Sequence, residues 1–461
     1  MLRKGIHLRG TTHPRALVET GLRSIETLAF GAPTPDGSSQ CSHRDRPKGS
    51  GGRGTNDQQA GIMSIDTNHI LDWLTRQALP LWSDAGYDTA AGGFVECLTL
   101  DGFPLLNRNK RMHVQARQIY VYSHAHLLGW TPPSGRLAPL EVARGGFDFL
   151  TQHYWRKDGG GFIYAASRSG TPADSRIESY EQAFALFALA WYHRASGDPA
   201  ALEWVARVLA FMDETLADPS NGGYFENPAR DLPRRQNPHM HLLEALLALY
   251  TATSDDSYLR RARRIIDLFR TRLLDPETRT LGEFFTNSWA PAPGTAGQTV
   301  EPGHHFEWVW LLRRYSEVTS DTTDAESAAL YNFAATHGID QSPGAAQGLA
   351  FDSVLRTGGD PRLGHGTSLD DNKRLWVQTE AIKAQTARVE AGHDPDAAAL
   401  LEVLLERLFD LYLRAGNGNW QDHIDASGHG FAETAPASSF YHLFLCLTEV
   451  LRVRDHRTDL C

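Results

Sequence analysis

The chain has 461 residues, 41% of them hydrophobic and 22% charged, ordinary values for a globular protein. Its formal net charge of −10 argues against nucleic acid and against acidic membrane surfaces, both of which select basic patches. No run of about 18 apolar residues occurs, so no transmembrane helix is expected. The four cysteines are scattered without CxxC spacing, which fits a reducing cytoplasm.

Residues 1–62 are rich in Gly, Ser, Pro and Arg and have no apolar periodicity, as in "GAPTPDGSSQCSHRDRPKGSGGRGTNDQQAG". Such a segment buries too little surface to offset its ordering entropy, so a disordered tail or an over-extended start is expected. Met63, in "GIMSIDTNHILDWL", reads as the native start, and residues 63–461 as one domain.

From there one pattern recurs: "AGGFVE" (91–96), "GGGFIY" (159–164), "NGGYFE" (221–226), "TLGEFF" (280–285), "QGLAFD" (347–352) and "GNGNWQDHID" (416–425). Small residues followed by an aromatic or β-branched pair predict a tight turn entering a short strand. The spacing of about 60 to 70 residues marks a repeat architecture. Apolar positions at i, i+3, i+4 and i+7 predict two helices per repeat. Those before a turn lie near 67–80, 138–156, 199–217, 257–274, 323–338 and 395–414 and carry many charges, as in "YLRRARRIIDLFRTRLL". Those after a turn lie near 113–129, 179–195, 239–253, 304–319, 372–389 and 438–453 and are apolar nearly all round, as in "EQAFALFALAWY". A helix polar on one face belongs outside and one apolar all round belongs inside. The expected fold is therefore all-α: an (α/α)6 barrel, a double ring of six inner and six outer helices with short β-hairpins in the loops. An open superhelix would want polar capping repeats, which are missing.

In such a ring the inner helices run the same way, so their N-termini gather at one mouth. That mouth collects "HVQAR" (113–117), "ESYEQ" (178–182), "NPHMH" (237–241), "EPGHHFE" (301–307), "DNKRLWVQTE" (371–380) and "PASSFYH" (436–442). Polar groups at one end of an apolar ring suit a small polar ligand. His304 and Glu307, three apart, share a face, and a helix N-terminus favours neutral imidazole. One of His304 and His305 is expected to cap or pack. His442 reads either as a core histidine or as a second acid–base group across the ring. His241 can share a face with Glu244, whereas His239 is expected at the rim or in solvent. Arg117 among apolar neighbours is either paired internally or aimed at a ligand oxygen. Trp376 and Trp420 can stack on a sugar or fill the core; Glu178, Tyr180 and Glu380 are further candidates. No HExxH, G-x-G-x-x-G or G-x-S-x-G motif is present, so the sequence predicts no metal and no nucleotide cofactor. A mouth richer in histidine than in acids favours proton shuttling over glycoside cleavage.

"NPHMHLLEA", "EPGHHFEW", "RLWVQTEA" and "PASSFYH", in this order, resemble the N-acylglucosamine 2-epimerase superfamily, which includes N-acylglucosamine 2-epimerase, cellobiose 2-epimerase and the mannose isomerases. The resemblance spans Met63 to about Arg454 and implies an (α/α)6 barrel and metal-free chemistry at C2 of an aldose. It implies that His304 and His442 are the acid–base pair and that Glu307 orients or tunes His304. It also implies that Asn237, His241, Arg117, Trp376 and Trp420 bind the sugar. "EPGHHFEWVWLLRRY" most resembles the mannose isomerase branch, so the expected reaction is D-mannose to D-fructose through a cis-enediol. A 2-epimerase of an N-acylglucosamine, free hexose or disaccharide is the alternative, and a non-catalytic sugar-binding barrel a third reading. The expected partner is a small monosaccharide, phosphorylated or not, with the chain a monomer or homodimer in the cytoplasm.

Overall fold

The computed structural model describes residues 65–357, 366–392 and 396–455; the expected tail of residues 1–62 lies outside them. Twelve helices are found among the described residues. The outer set is α1, which begins as Thr67–Asp72 and runs on through Trp73–Ala78 and Leu79–Asp84, then α3 (Pro139–His153), α5 (Pro199–Phe211), α7 (Asp256–Leu268), α9 (Asp324–His337) and α11 (Ala397–Arg407). The inner set is α2 (Met112–Leu127), α4 (Ser179–Ser196), α6 (Asn237–Thr253), α8 (Pro302–Val318), α10 (Leu375–Ala391) and α12 (Ser438–Arg454). Outer and inner helices alternate along the chain as their polarity requires.

The helix ends follow from local chemistry. Asp198 and Asp255 accept from the backbone N–H of Ala200 and Ser257, capping α5 and α7. Pro139, Pro199 and Pro302 open α3, α5 and α8, where a missing N–H costs nothing. Gly197 and Gly392 end α4 and α10 in the left-handed conformation. In α7 the face of Leu259, Ala262, Ile265 and Ile266 is buried, while the arginines between them point outward.

Each inner helix packs on the next, α2–α4–α6–α8–α10–α12, and α12 returns to α2 to close the ring. Outer helices α3, α5, α7, α9 and α11 pack on the inner helix that precedes each of them, and α1 packs on α12. The short strand Cys97–Thr99 pairs antiparallel with Thr434–Pro436, in the register Cys97↔Pro436, tying the first repeat to the last. Among the described residues no helix is long and apolar enough to cross a membrane.

The repeated Gly turns are pinned to the inner helices by one recurring device. Side-chain amides of Gln115, Gln182 and Gln378 each exchange two hydrogen bonds with the backbone of Phe94, Phe162 and Ala350. His239 and His305 do the same work with a single bond, accepting at Nε2 from the N–H of Tyr224 and Leu281. His239 is therefore buried, not at the rim as expected. A backbone N–H with no water needs an acceptor, and the turn brings this one against the helix. Gly222 and Gly223, both at positive φ, let the turn fold tightly enough to reach it.

Candidate active site

The N-termini of all six inner helices border one cavity of about 710 Å³. His304, His442, Arg117, Asn237, His241, Glu307 and Trp376 all line it, brought together from α2, α6, α8, α10 and α12. Trp420 does not: it is 1% exposed and stacked on Trp82 at 4.7 Å and on Phe440 at 5.6 Å. It is a core side chain, a correction to its expected role on the sugar.

His304 sits in the first turn of α8 with its ring 5.1 Å from that of Trp376. Gly303 permits this approach, since a Cβ there would lie 2.6 Å from the Trp376 ring. His304 Nδ1 meets Glu283 Oε2 at 2.9 Å, and Nε2 meets the Asn237 side-chain amide at 3.2 Å. Burial alone would lower the His304 pKa, but the Glu283 and Glu301 carboxylates outweigh it and push it up to about 9. His304 is thus an imidazolium near neutral pH. With both ring nitrogens donating, the oxygen end of the Asn237 amide is the one that fits Nε2. Glu307, expected to orient or tune His304, makes its contacts elsewhere, 3.9 Å from His241 Nδ1 and 4.0 Å from Lys383 Nζ, but its charge adds to the upward shift of His304 behind those of Glu283 and Glu301. Glu283 holds that position instead.

On the other side of Trp376, at 5.8 Å between rings, lies His442. Its Nδ1 is 2.8 Å from Glu380 Oε1, and Glu380 Oε2 is 2.6 Å from Lys383 Nζ. Burial, with Arg117 and Lys383 nearby, holds His442 well below the ordinary histidine range. In the tautomer whose Nδ1–H donates to an ionised Glu380, Nε2 is the unprotonated nitrogen. Burial and the Glu307 carboxylate hold the Glu380 carboxyl well above the ordinary carboxylate range, with Lys383 opposing them only in part. Lys383 itself stays a cation because Glu380, Glu307 and Glu244 offset its burial.

His241, lowered to about 3 by burial, is neutral; its Nδ1 meets Glu244 Oε2 at 3.1 Å, and Tyr441 donates to the other oxygen of Glu244. Among the described residues Arg117 has no carboxylate partner in hydrogen-bond contact. It donates to Tyr180 Oη at 2.9 Å and to the Ser438 carbonyl at 3.2 Å, with its guanidinium over Phe184 and Tyr441. At the cavity wall Arg111, Arg176, Arg235 and Arg374 are each bound to acids: Glu96, Asp174, Glu226 and Asp352 respectively.

Sequence reasoning missed Glu283, Arg111, Arg176, Arg235 and the pair His113–Glu181. Glu283 lies in the "TLGEFF" turn, whose repeat was visible but whose acid was not singled out. Among the described residues two groups have the spacing that could hold a metal ion: His241, Glu244 and Glu307, and Glu283, Glu301 and His304. In the first the Lys383 ammonium already supplies positive charge, and in the second the His304 proton does.

Residues 92–446 match the family model described as N-acylglucosamine 2-epimerase (GlcNAc 2-epimerase). The chain belongs to the N-acylglucosamine 2-epimerase family. It is 33% identical to the mannose-6-phosphate isomerase of Rhizobium meliloti, over 84% of this chain and 97% of that one. It is 28% identical to a cellobiose 2-epimerase of Bacteroides fragilis, over 67% of this chain and 78% of that one. Its fold matches the solved cellobiose 2-epimerase of Bacillus thermoamylovorans with a TM-score of 0.73 at 20% identity, covering 84% and 99% of the two chains. The protein is accordingly an enzyme of the sugar isomerase and epimerase class, built on the (α/α)6 barrel that these N-acylglucosamine 2-epimerase relatives share.

Proposed function

We propose that the protein interconverts D-mannose and D-fructose by proton transfer through a cis-enediol held between His442 and His304. One observation carries this reading: His304 and His442 flank Trp376 in a single polar cavity, the first with its pKa pushed up to about 9 by carboxylates and the second held well below the histidine range by burial. A C2 proton next to an aldehyde is acidic enough for a positioned imidazole to remove. His442 takes it at Nε2 while the His304 imidazolium donates to O1, giving the neutral enediol. The proton on His442 then passes to C1, and His304 recovers one from the O2 hydroxyl as the C2 carbonyl forms. Both histidines end as they began. Arg117, Asn237, His241, Glu307 and Trp376 bind and orient the open-chain sugar. No metal is assigned a role, since local cations already meet the charge of the acidic groups.

The epimerase reading uses the same residues. If the His304 proton reaches the far face of C2, the product is the C2 epimer, as the name of the Bacteroides relative describes for cellobiose. The name of the Rhizobium relative raises a phosphorylated substrate. The four wall arginines already bound to carboxylates favour an uncharged sugar. Incubation with D-mannose and with mannose 6-phosphate in deuterated water decides among these. Fructose is expected, with deuterium at C1 to the extent that the proton on His442 exchanges with solvent before it is passed on. Glucose labelled at C2, or turnover of the phosphate ester alone, overturns the reading. The buried free cysteines Cys97 and Cys446 suit a reducing cytoplasm.

A further inference from the structure

We propose that His113 and Glu181 form a specificity pair that grips a hydroxyl at the end of the sugar remote from C1 and C2; this rests on the isomerase reading above. In a ring of six, opposite helices stand three places apart. His304 on α8 and Trp376 on α10 therefore face α2 and α4, which carry His113 and Glu181. Both residues line the cavity. Reacting carbons held at His304 and His442 leave the rest of an extended open-chain hexose pointing across the hollow toward this pair.

The geometry is that of a built site. His113 Nδ1 lies 2.8 Å from Glu181 Oε1, and the His113 backbone N–H donates to Oε2 at 2.8 Å. Glu181 is 0% exposed and His113 6%. Tyr164, Tyr180 and Phe184 close around the imidazole with ring centroids 5.7 to 6.4 Å away. Nδ1 is taken, so Nε2 is the ring nitrogen left for a ligand, and it has no hydrogen-bond partner among the described residues. A purely structural pair would have no reason to border the cavity with one nitrogen unspent.

The pair also indicates what it binds. Burial, followed by the charge of Glu178, pushes the Glu181 carboxyl up to about 8, and burial with Arg117 holds His113 well below its usual range. Near neutral pH the two share a proton and carry no net charge. With that proton present the carboxyl donates to Nδ1 and Nε2–H is a donor; once the pair loses it, Nδ1–H donates to the carboxylate, the pair carries one negative charge and Nε2 is an acceptor. A hydroxyl, which both donates and accepts, satisfies either state; a phosphate oxygen, acceptor only, satisfies one.

The test crosses enzyme variants with substrate analogues. Wild type, His113→Phe and His113→Asn are compared on D-mannose, D-lyxose (which lacks C6), and 4-deoxy- and 6-deoxy-D-mannose. Wild type should lose about tenfold or more in kcat/KM on the analogue that lacks the gripped hydroxyl, mostly through KM. His113→Phe should lose a similar factor on D-mannose and then treat that analogue and D-mannose alike. Equal discrimination in wild type and both variants, or unchanged kcat/KM on D-mannose, would overturn the pair's role. His113→Asn keeps a polar group and guards against a variant that fails to fold, checked by melting temperature. If wild type forms no fructose from D-mannose, the isomerase reading has failed, and direct binding of the same sugars still tests the pair.

Discussion

Replacing Lys383 by methionine tests how the base is kept in working form. Lys383 is 0% exposed, and its Nζ lies 2.6 Å from Glu380 and 4.0 Å from Glu307. At an effective dielectric near 20, attraction at these distances is about 6 and about 4 kcal/mol. Methionine fills a similar volume but removes the only cation in contact with these buried acids, among the described residues. Burial and Glu307 already hold Glu380 well above the carboxylate range, and Lys383 is the group that opposes them; without it, ionising Glu380 would cost about 3 to 5 kcal/mol more, so Glu380 keeps a proton. A protonated Glu380 donates to His442 Nδ1, which puts the imidazole proton on Nε2, the nitrogen that must accept from C2. A wrong tautomer costs up to about 10⁴ in kcat where a histidine is the base. Lys383→Met should therefore lower kcat by about 10² to 10⁴ with KM changed by less than about threefold. Its activity should recover partly as pH rises and Glu380 ionises again. Steady-state kinetics on D-mannose from pH 5 to 10 reads this directly. A kcat within about threefold of wild type, with an unshifted profile, would refute the relay from Lys383 through Glu380 to His442.

The remaining predictions concern single side chains. His304 is raised to about 9, so kcat/KM should fall as pH passes about 9 and the acid loses its proton. The sign for stability is the same: its contribution is complete below the unfolded value near 6.5 and is lost as pH rises through about 9, measurable as a falling melting temperature. Glu283→Gln removes the carboxylate at 2.9 Å and should move that alkaline limb toward neutral pH in a pH–rate profile. His304→Ala and His442→Ala should each cost about 10² or more in turnover on D-mannose while the fold, followed by circular dichroism, persists. Trp420→Phe should reduce stability by about 1 to 3 kcal/mol in urea unfolding and leave KM unchanged, because its ring meets Trp82 and Phe440 rather than the cavity. Dialysis against EDTA should leave the rate unaltered.

The helices were legible because burial imposes a period, and the double ring was legible because the two helix sets differ in how much of their circumference is polar. The mouth followed from topology alone: an alternating ring gathers inner N-termini whatever residues they carry. The partners of the site histidines were not legible, and the reason is geometric. His241 finds its acid three residues on in its own helix, His304 in the preceding turn 21 residues away, His442 on the previous inner helix 62 residues away and His113 on the next one 68 residues away. No common spacing connects these four pairs, so no sequence period could reveal them. The same limit explains Glu307, whose three-residue offset from His304 suggested contact, while the ring turned it toward His241 and Lys383. It explains Trp420 as well, since a tryptophan after a turn is compatible with either side of the strand that follows. The pairs share a logic that only the assembled ring exposes: each imidazole gives Nδ1 to a buried carboxylate and keeps Nε2 for the cavity or its neighbours. Local charge then separates the histidines into a cationic acid and a neutral base, and this asymmetry, more than the number of imidazoles, is what suits the barrel to moving a proton between adjacent carbons.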